Sequence, residues 1–300
     1  MAMHDDQLHI DERMASQLIH EQFPHWRLQG VRELATDGTV NAIFRIGDDL
    51  TARFPLRAAD PEEVGAELIR EGAAMRELAA CCPFPTPARV AVGAPGHGYP
   101  LPWAVQTWLP GSVATPAGLA RSRVFARDLT ALVQSLRAAD TAGRTFDGTG
   151  RGGVLRDADR WMEVCFRESA TLLPVERLRE LWRGFRELPN PYADVMTHGD
   201  LIPGNLLVDG ERLVGVLDGG GFAAADRAVD LVAVWNMLDS DNRVFVRSEL
   251  GCSELEWQRG AAWAFVQAMG LVWYYRESNP GMSALGRSAL TRILDDSSLS

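Results

Sequence analysis

The chain has 300 residues, of which 46% are hydrophobic and 23% are charged, and its formal net charge is −10 at neutral pH. These proportions are typical of a globular protein with a core of ordinary size, in one large domain or two small ones. The acidic balance argues against general nucleic-acid binding, which requires concentrated positive charge, and is compatible with a cationic ligand.

The N-terminal third of the sequence predicts antiparallel strands around one internal helix. An amphipathic helix is predicted over residues 11–23, with Asp11 as its N-cap. The runs NAIFRI and LTARF, separated by the turn at 47–49, predict a hairpin. The internal helix is predicted over 61–80, and two more strand-like segments, ARVAVG and PWAVQTWL, follow it.

From Pro110 onward the pattern becomes helical. A long helix is predicted from Thr115 through about Arg137, and helical patterns recur near 156–169, 175–188, 254–275 and 281–295. One clear strand pair, NLLVDGERLVGVLD, turns at Asp209-Gly210 or over a slightly longer loop. The sequence therefore predicts an α+β protein with a small β-rich lobe, residues 1–106, and a larger, mainly helical lobe, residues 107–300.

An ordered set of polar residues surrounds this strand pair. Asp200 and Asn205 lie in the segment THGDLIPGNLLV, directly before the first strand, and Asp218 follows the second strand in VLDGGG. A loop acid, an amide five residues later and a second acid after a hairpin form the order that phosphoryl transfer uses. Carboxylate and amide oxygens are also the ligands that Mg²⁺ prefers. Any one of these residues alone would indicate only a turn or a helix cap.

These segments resemble the motifs of the aminoglycoside and macrolide phosphotransferases, antibiotic kinases related in fold to protein kinases. The family pattern HGDxxxxN is matched by His198, Gly199, Asp200 and Asn205, and the pattern IDxxxxxxGDPxxDL is matched in part by LDGGGFAAADRAVDL. The resemblance extends over nearly the whole chain and implies a protein-kinase-like bilobal fold. It implies that Asp200 is the catalytic base, that Asn205 and Asp218 bind Mg²⁺, and that His198 and Asp230 brace the catalytic loop.

The resemblance also implies nucleotide contacts in the N-terminal half. The turn in ATDGTVNAIFRI would cover the phosphates through Thr39 and Asn41, with Gly38 relieving the backbone. All 30 basic residues are arginine, so Arg53 stands where the family has a lysine that pairs with phosphates. Its partner would be Glu67 or Glu71, and counting back from PFPTP favours Glu71. The hinge QTWLPG would face the base of ATP or GTP through Gln106, Trp108 and Leu109.

The sequence departs from the family pattern at several positions. Gly219 replaces the aromatic residue that follows the metal-binding Asp, which predicts looser packing there, and Arg227 stands where proline follows Asp226. The glycine-rich segment 147–153 is interpreted as a flexible connection, because it has no lysine and no preceding strand. Asp239 and Glu277 are candidates for contacts with the substrate.

The sequence therefore predicts a Mg²⁺-dependent phosphotransferase that uses ATP or GTP and an alcohol group of a small molecule. The acceptor class implied by the resemblance is an aminoglycoside or macrolide antibiotic. A metabolic kinase of the same fold, acting on a sugar, amino alcohol or homoserine-like acceptor, stays open, as does a catalytically silent nucleotide-binding module. Because the N-terminal stretch is polar and no apolar run approaches the length of a membrane span, we expect a cytoplasmic protein without membrane or nucleic-acid partners.

Overall fold

A computed structural model of the chain describes residues 8–34 and 40–299. These residues form two units. The N-terminal unit contains the described residues up to Ala80, together with Thr86–Pro110 and Asp218–Gly220. The C-terminal unit contains Cys81–Pro85, Gly111–Leu217 and the described residues from Gly221 onward. The division predicted between residues 106 and 107 stays a prediction.

The N-terminal unit is an antiparallel sheet with two helices. Its elements, in chain order, are α1 (Glu12–Gln22), β1 (Val31–Leu34), β2 (Asn41–Ile46), β3 (Leu50–Pro55), α2 (Pro61–Cys81), β4 (Arg89–Gly93) and β5 (Trp103–Thr107). The strand order is β1-β2-β3-β5-β4, and every neighbouring pair is antiparallel. The predicted hairpin and both predicted helices are present, within two residues of their expected ends.

The core of the N-terminal unit lies between α1 and the sheet. Phe54 and Trp103 stack with their ring centroids 4.7 Å apart, and Leu18 and Ile19 of α1 belong to the same buried cluster. Burying a side chain of this size contributes roughly 1.5–3 kcal/mol. The predicted cap of α1 is also formed, because the carboxylate of Asp11 accepts a hydrogen bond from the Met14 N–H at 2.7 Å.

The C-terminal unit is mainly helical, with short strands. Its elements are β6 (Ser112–Val113), α3 (Pro116–Leu119), α4 (Arg123–Ala138), α5 (Asp159–Glu168), α6 (Val175–Phe185), β7 (Val195–Thr197), β8 (Leu206–Asp209), β9 (Arg212–Val216), β10 (Ala223–Ala225), α7 (Val232–Met237), α8 (Ser240–Leu250), α9 (Glu254–Tyr274) and α10 (Pro280–Leu294). Strands β6, β8 and β9 form one sheet, and β7 pairs with β10. Among the described residues, no helix is long and apolar enough to cross a membrane.

The long helix predicted from Thr115 to Arg137 is interrupted in the structure. The carbonyl of Ala120 accepts hydrogen bonds from the Asp239 N–H and the Asn242 side chain, both at 3.0 Å, instead of continuing the helical ladder. Ser122 then caps α4 by accepting from the Phe125 N–H at 3.1 Å. A contact with a distant part of the chain therefore divides the segment into α3 and α4.

Helix α9 lies at the centre of the C-terminal unit and is buried along most of its length. Its small residues allow close neighbours. A Cβ added at Gly270 would lie 2.8 Å from the indole of Trp161, so the absence of a side chain there admits that ring. Most side chains of α9 therefore pack against the surrounding helices.

Candidate active site

The loop that carries Asp200 and Asn205 connects β7 to β8. Gly199 has a φ of +79°, which suits a residue without a Cβ. Pro203 opens a short 3-10 turn, where its missing N–H costs no hydrogen bond. The N–H of Asn205 closes this turn onto the carbonyl of Ile202 at 3.0 Å, and the carbonyl of Asn205 accepts from the Leu217 N–H at 2.8 Å. The loop is thus held at Asn205 by backbone hydrogen bonds of both its N–H and its carbonyl.

A buried carboxylate supports the loop from below. Asp230 is 2% exposed and accepts hydrogen bonds from the N–H groups of His198 and Gly199, both at 2.9 Å. Burial raises the pKa of Asp230 above its ordinary value, and the nearby His198 and these two backbone donors oppose that rise. Losing this carboxylate would leave the buried N–H of His198 and the partly buried N–H of Gly199 without this acceptor.

The contacts of His198 define its tautomer. Its Nε2 lies 2.8 Å from the carbonyl of Leu217, and its Nδ1 lies 3.3 Å from the N–H of Asp200. Because a carbonyl only accepts and a backbone N–H only donates, Nε2 carries the proton and Nδ1 accepts. These contacts hold the ring between Leu217 and the loop, and the bracing role of His198 stays a prediction.

Three side-chain donors surround the carboxylate of Asp200. Its Oδ1 accepts from Gln267 at 2.9 Å and from the guanidinium of Arg151, and its Oδ2 lies 3.3 Å from the amide nitrogen of Asn205. The side chain nevertheless remains 39% exposed. Asp200 is therefore held in one orientation while staying open to a ligand.

Arg151 and Gln267 were missed by the sequence analysis. Arg151 lies in the glycine-rich segment 147–153, and its guanidinium donates to the carbonyl of Gly199 at 3.2 Å as well as to Asp200. The carbonyl of Gly152 accepts from the Asp226 N–H at 2.8 Å, which anchors the segment. The sequence signal for Arg151 was a single arginine flanked by glycines. Glycines allow the backbone of such a segment to come close to a neighbouring loop.

A buried ion pair connects α9 with the second motif. Asp226 is fully buried and accepts hydrogen bonds from Arg259 at 2.6 Å and from the indole N–H of Trp263 at 2.7 Å. Arg259, which is 1% exposed, also donates to the carbonyls of Leu188 and Pro189. Each charge is thus compensated, as a buried charge must be.

Asn205 and Asp218 each offer oxygen atoms suited to Mg²⁺. The amide nitrogen of Asn205 donates to the carbonyl of Asp200 at 2.9 Å, and within the described residues its amide oxygen accepts no hydrogen bond. Asp218 has a φ of +59°, is 49% exposed, and uses one oxygen to pair with Arg53 at 2.9 Å. Uncommitted amide and carboxylate oxygens fit the preference of Mg²⁺ for hard ligands.

In the N-terminal unit, Arg53 and Glu71 have ion-pair partners other than the predicted ones. Arg53 contacts Asp218 rather than Glu71, and Glu71 instead accepts from Arg89 at 3.1 Å. The predicted Arg53–Glu71 pair is therefore wrong for this structure, because Arg89 reaches α2 and also donates to the carbonyl of Leu68 at 3.0 Å. Gly219 does not leave loose packing either, since Leu78 fills the space that a side chain there would occupy.

The remaining predicted nucleotide residues lie on or next to the sheet. Asn41 begins β2, and Gln106 on β5 is buried with its amide oxygen unpaired among the described residues. The N–H of Trp108 is already bonded to the carbonyl of Asp49 at 2.7 Å, and Leu109 follows it, half-buried. Thr39 and Gly38 lie outside the described residues.

Asp200 lies on the wall of a cavity of about 620 Å³, formed entirely by the C-terminal unit. Arg151, Asp157, Trp161, Gln267 and Tyr274 are among the side chains that line it. Asp239 and Glu277, the predicted substrate contacts, are not among them. Asp239 instead caps α8 by accepting from the Asn242 N–H at 3.1 Å, and Glu277 is exposed beyond the end of α9.

Comparisons with known proteins point to one family. A family model described as the phosphotransferase enzyme family matches residues 31–266. A solved aminoglycoside 2'-phosphotransferase-IIIa in complex with GDP is similar in fold, with a TM-score of 0.69, 19% identity, and coverage of 95% of this chain and 98% of that one. A macrolide 2'-phosphotransferase from Brachybacterium faecium has a TM-score of 0.58 and 20% identity, and the match covers 86% of this chain and 91% of that one. The predicted kinase-like fold is thereby confirmed.

A closer sequence match covers only part of the chain. An aminoglycoside 3'-phosphotransferase from Escherichia coli is 39% identical over 66 residues, which are 22% of this chain and 23% of that relative. The match thus spans about a quarter of the length of that curated relative.

Proposed function

Because the chain belongs to the phosphotransferase enzyme family, we propose that it is a small-molecule kinase that transfers the γ-phosphate of ATP or GTP to an alcohol group. The observation that carries this proposal is the carboxylate of Asp200, held by three donors on the wall of the 620 Å³ cavity. A restrained but exposed carboxylate is what a general base requires. The GDP in the related aminoglycoside phosphotransferase supports a nucleotide as co-substrate.

Asp200 would accept the proton of the acceptor hydroxyl as its oxygen attacks the γ-phosphorus. One oxygen–phosphorus bond forms, the bond to the leaving nucleoside diphosphate breaks, and the transferred proton remains on Asp200 until solvent removes it. Oδ2 is the less occupied oxygen for this proton, since among the described residues it accepts only from Asn205 at 3.3 Å whereas Oδ1 already accepts from Arg151 and Gln267. The positioning of the reacting groups contributes most of the rate enhancement in such reactions. The hydrogen bonds that hold the loop of Asp200 and Asn205 suit this requirement.

Asn205 and Asp218 are the proposed Mg²⁺ ligands. Mg²⁺, when bound, would neutralise the negative charge of the phosphate oxygens. Among the residues predicted to contact the nucleotide, Arg53 would supply a side-chain cation for phosphate. Its planar fork pairs with phosphate oxygens through two N–H groups, whereas an ammonium acts as a point charge.

The acceptor is proposed to be an antibiotic hydroxyl of the aminoglycoside or macrolide type, since both kinds of enzyme are among the structural neighbours. A metabolic kinase acting on a sugar, amino alcohol or homoserine-like alcohol is the alternative within the same reaction class. A silent nucleotide-binding module is less well supported, because it does not need a braced carboxylate facing a cavity.

The proposal is tested by product formation from ATP and GTP, with a panel of aminoglycosides, macrolides and metabolic alcohols. We expect Asp200→Asn to lower kcat by about 10²–10⁴-fold, while nucleotide binding, followed by thermal shift, stays unchanged. Asp209→Asn, an exposed acid at the end of β8, is the matched control and should retain activity. Tight nucleotide binding without turnover of any alcohol, and without Asp200-dependent hydrolysis, would instead identify a silent binding module.

A further inference from the structure

The charged side chains that line the cavity in the C-terminal unit are few. Among its described lining residues, only Arg151, Asp157 and Asp200 carry charge. Arg151 is paired with Asp200, so these two charges compensate each other. Asp157 is exposed, and within the described part of the chain no ion pair involves it. One carboxylate therefore remains for a cationic ligand.

The rest of the wall is largely aromatic and aliphatic. Val154, Trp161 and Tyr274 line the cavity while remaining 61%, 41% and 44% exposed, respectively. Large apolar side chains that are exposed together mark a surface that a ligand or partner covers. Trp161 packs over Gly270 and lies beside Trp273, with ring centroids 5.8 Å apart, so its indole is supported on this wall.

These features disfavour a ligand with many cations. Each ammonium group that enters the cavity loses hydration, and this loss must be offset by a nearby carboxylate or an aromatic face. Asp157 and Trp161, four residues apart on the same cavity wall, can offset one such group. The Arg151–Asp200 pair carries no net charge, so it offers no carboxylate for further positive charges near the reacting hydroxyl.

We propose that the acceptor is a bulky, predominantly apolar alcohol that carries a single amine. Its hydroxyl would lie at Asp200, its apolar body would cover Val154, Trp161 and Tyr274, and its amine would lie at Asp157. A cavity of about 620 Å³ is large enough for a drug-sized molecule. The inference rests on the proposed phosphotransferase function and limits its acceptor to this one class. A sugar with several amines does not belong to this class.

The decisive experiment compares two probes on the full chain, a macrolide with one tertiary amine and an aminoglycoside with several amines. Binding is measured by calorimetry without nucleotide, and transfer by mass spectrometry with Mg²⁺ and ATP or GTP. We expect the macrolide to bind and be phosphorylated, with an affinity at least about tenfold above that of the aminoglycoside. Tighter binding of the aminoglycoside, or no binding of either probe, would overturn the inference.

Variants locate the binding surface. Trp161→Ala should weaken macrolide binding by about tenfold, which corresponds to about 1.4 kcal/mol, and Asp157→Asn should weaken it only when the amine is protonated. Because Trp161→Ala can also disturb folding, Val154→Ala is compared with Val244→Ala. Both valines are exposed, at 61% and 68%, and only Val154 lines the cavity. Equal macrolide affinity in these two valine variants would count against the proposed surface.

The outcomes separate this inference from the proposed function. Phosphorylation of the aminoglycoside alone would preserve the kinase function and overturn the acceptor class. Binding of the macrolide without Asp200-dependent transfer to any alcohol would preserve the binding surface and overturn the kinase function.

Discussion

At the residue scale, the guanidinium of Arg151 directly contacts the proposed catalytic base. It contacts Asp200 and the carbonyl of Gly199 together, so it holds the carboxylate relative to its own loop. We expect Arg151→Ala to lower kcat by about tenfold or more, because small displacements of a catalytic group are costly. The KM for nucleotide should change little.

The conservative variant distinguishes positioning from a general loss of structure. Arg151→Lys keeps a positive charge within reach of Asp200 and should recover part of kcat, whereas Arg151→Gln should not. These kcat values are measured at saturating acceptor and nucleotide. A kcat in Arg151→Ala equal to or above that of the wild type would mean that Arg151 masks the base in the free protein.

Asp226 tests the cost of leaving a buried cation unpaired. Its carboxylate is fully buried against Arg259 and Trp263, so Asp226→Ala leaves Arg259 without its counter-charge. We expect the free energy of unfolding in denaturant to fall by about 3–5 kcal/mol. Glu163→Ala removes the exposed partner of Arg179 and should change the same quantity by no more than about 1 kcal/mol. Similar effects in the two variants would contradict this account.

Cys165 provides a test that depends on pH. Burial raises the pKa of its thiol to about 11, so the reactive thiolate is scarce in the folded protein at pH 8. We expect iodoacetamide to alkylate Cys165 slowly at this pH, faster as the pH approaches 11, and rapidly after unfolding in denaturant. The site of alkylation is identified by peptide mass spectrometry. Rapid alkylation at pH 8 in the folded state would show that the region around α5 opens readily.

At the element scale, the sheet of the N-terminal unit requires a glycine at one position, and the hydrophobic periodicity of the sequence does not predict this requirement. Gly93 ends β4 directly over the indole of Trp103, and a Cβ at this position would clash with the ring. Trp103 is fully buried against Phe54, so it has little room to move. Gly93→Ala should therefore lower the free energy of unfolding by about 1–3 kcal/mol.

The same substitution in α2 should have the opposite effect. At Gly65, an added Cβ would meet only Pro102, at an ordinary distance of 3.8 Å. Alanine in a helix interior is favoured over glycine by roughly 0.5–1 kcal/mol. We therefore expect Gly65→Ala to stabilise the unit in the same denaturant experiment that shows Gly93→Ala to be destabilising. A loss of stability in both variants would indicate that the backbone of α2 is strained at Gly65.

Elements with a strong local pattern were predictable, whereas those defined by distant contacts were not. The amphipathic α1 and the hairpin β2–β3 were predicted because periodicity and turn residues determine them locally. The break before α4 depends on Asn242, and the β7–β10 pair joins segments separated by twenty-five residues or more, as its register shows. No window of sequence contains this information.

The candidate site divides in the same way. Asp200 and Asn205 were predictable because they occur within one short motif. Gln267 and Arg151 were not, because they come from segments far away in sequence and reach Asp200 only in the folded C-terminal unit. The predicted partner of Arg53 was wrong for a similar reason, since Arg89 on a later strand contacts Glu71.

At the scale of the whole molecule, the use of arginine for every basic side chain has a chemical consequence. None of the 300 residues is a lysine, so a side chain that is cationic throughout the neutral pH range can bind phosphate only as a guanidinium. Arg53 and Arg151 are 25% and 29% exposed, which leaves both within reach of a reagent. The activity should therefore be sensitive to modification of arginine and insensitive to acylation of lysine.

We expect phenylglyoxal, which modifies guanidinium groups, to abolish phosphotransfer, and Mg²⁺ with nucleotide to slow this loss. An N-hydroxysuccinimide acetate, which acylates amines, should leave turnover unchanged.

Arg53→Lys introduces one side-chain amine at the position proposed to contact phosphate, and any turnover of this variant should become sensitive to the same acylating reagent. Persistent activity of the acylated Arg53→Lys variant would place phosphate away from position 53. Complete inactivity before acylation would instead show that the two-pronged hydrogen bonding of the guanidinium is required there, because the variant preserves the positive charge.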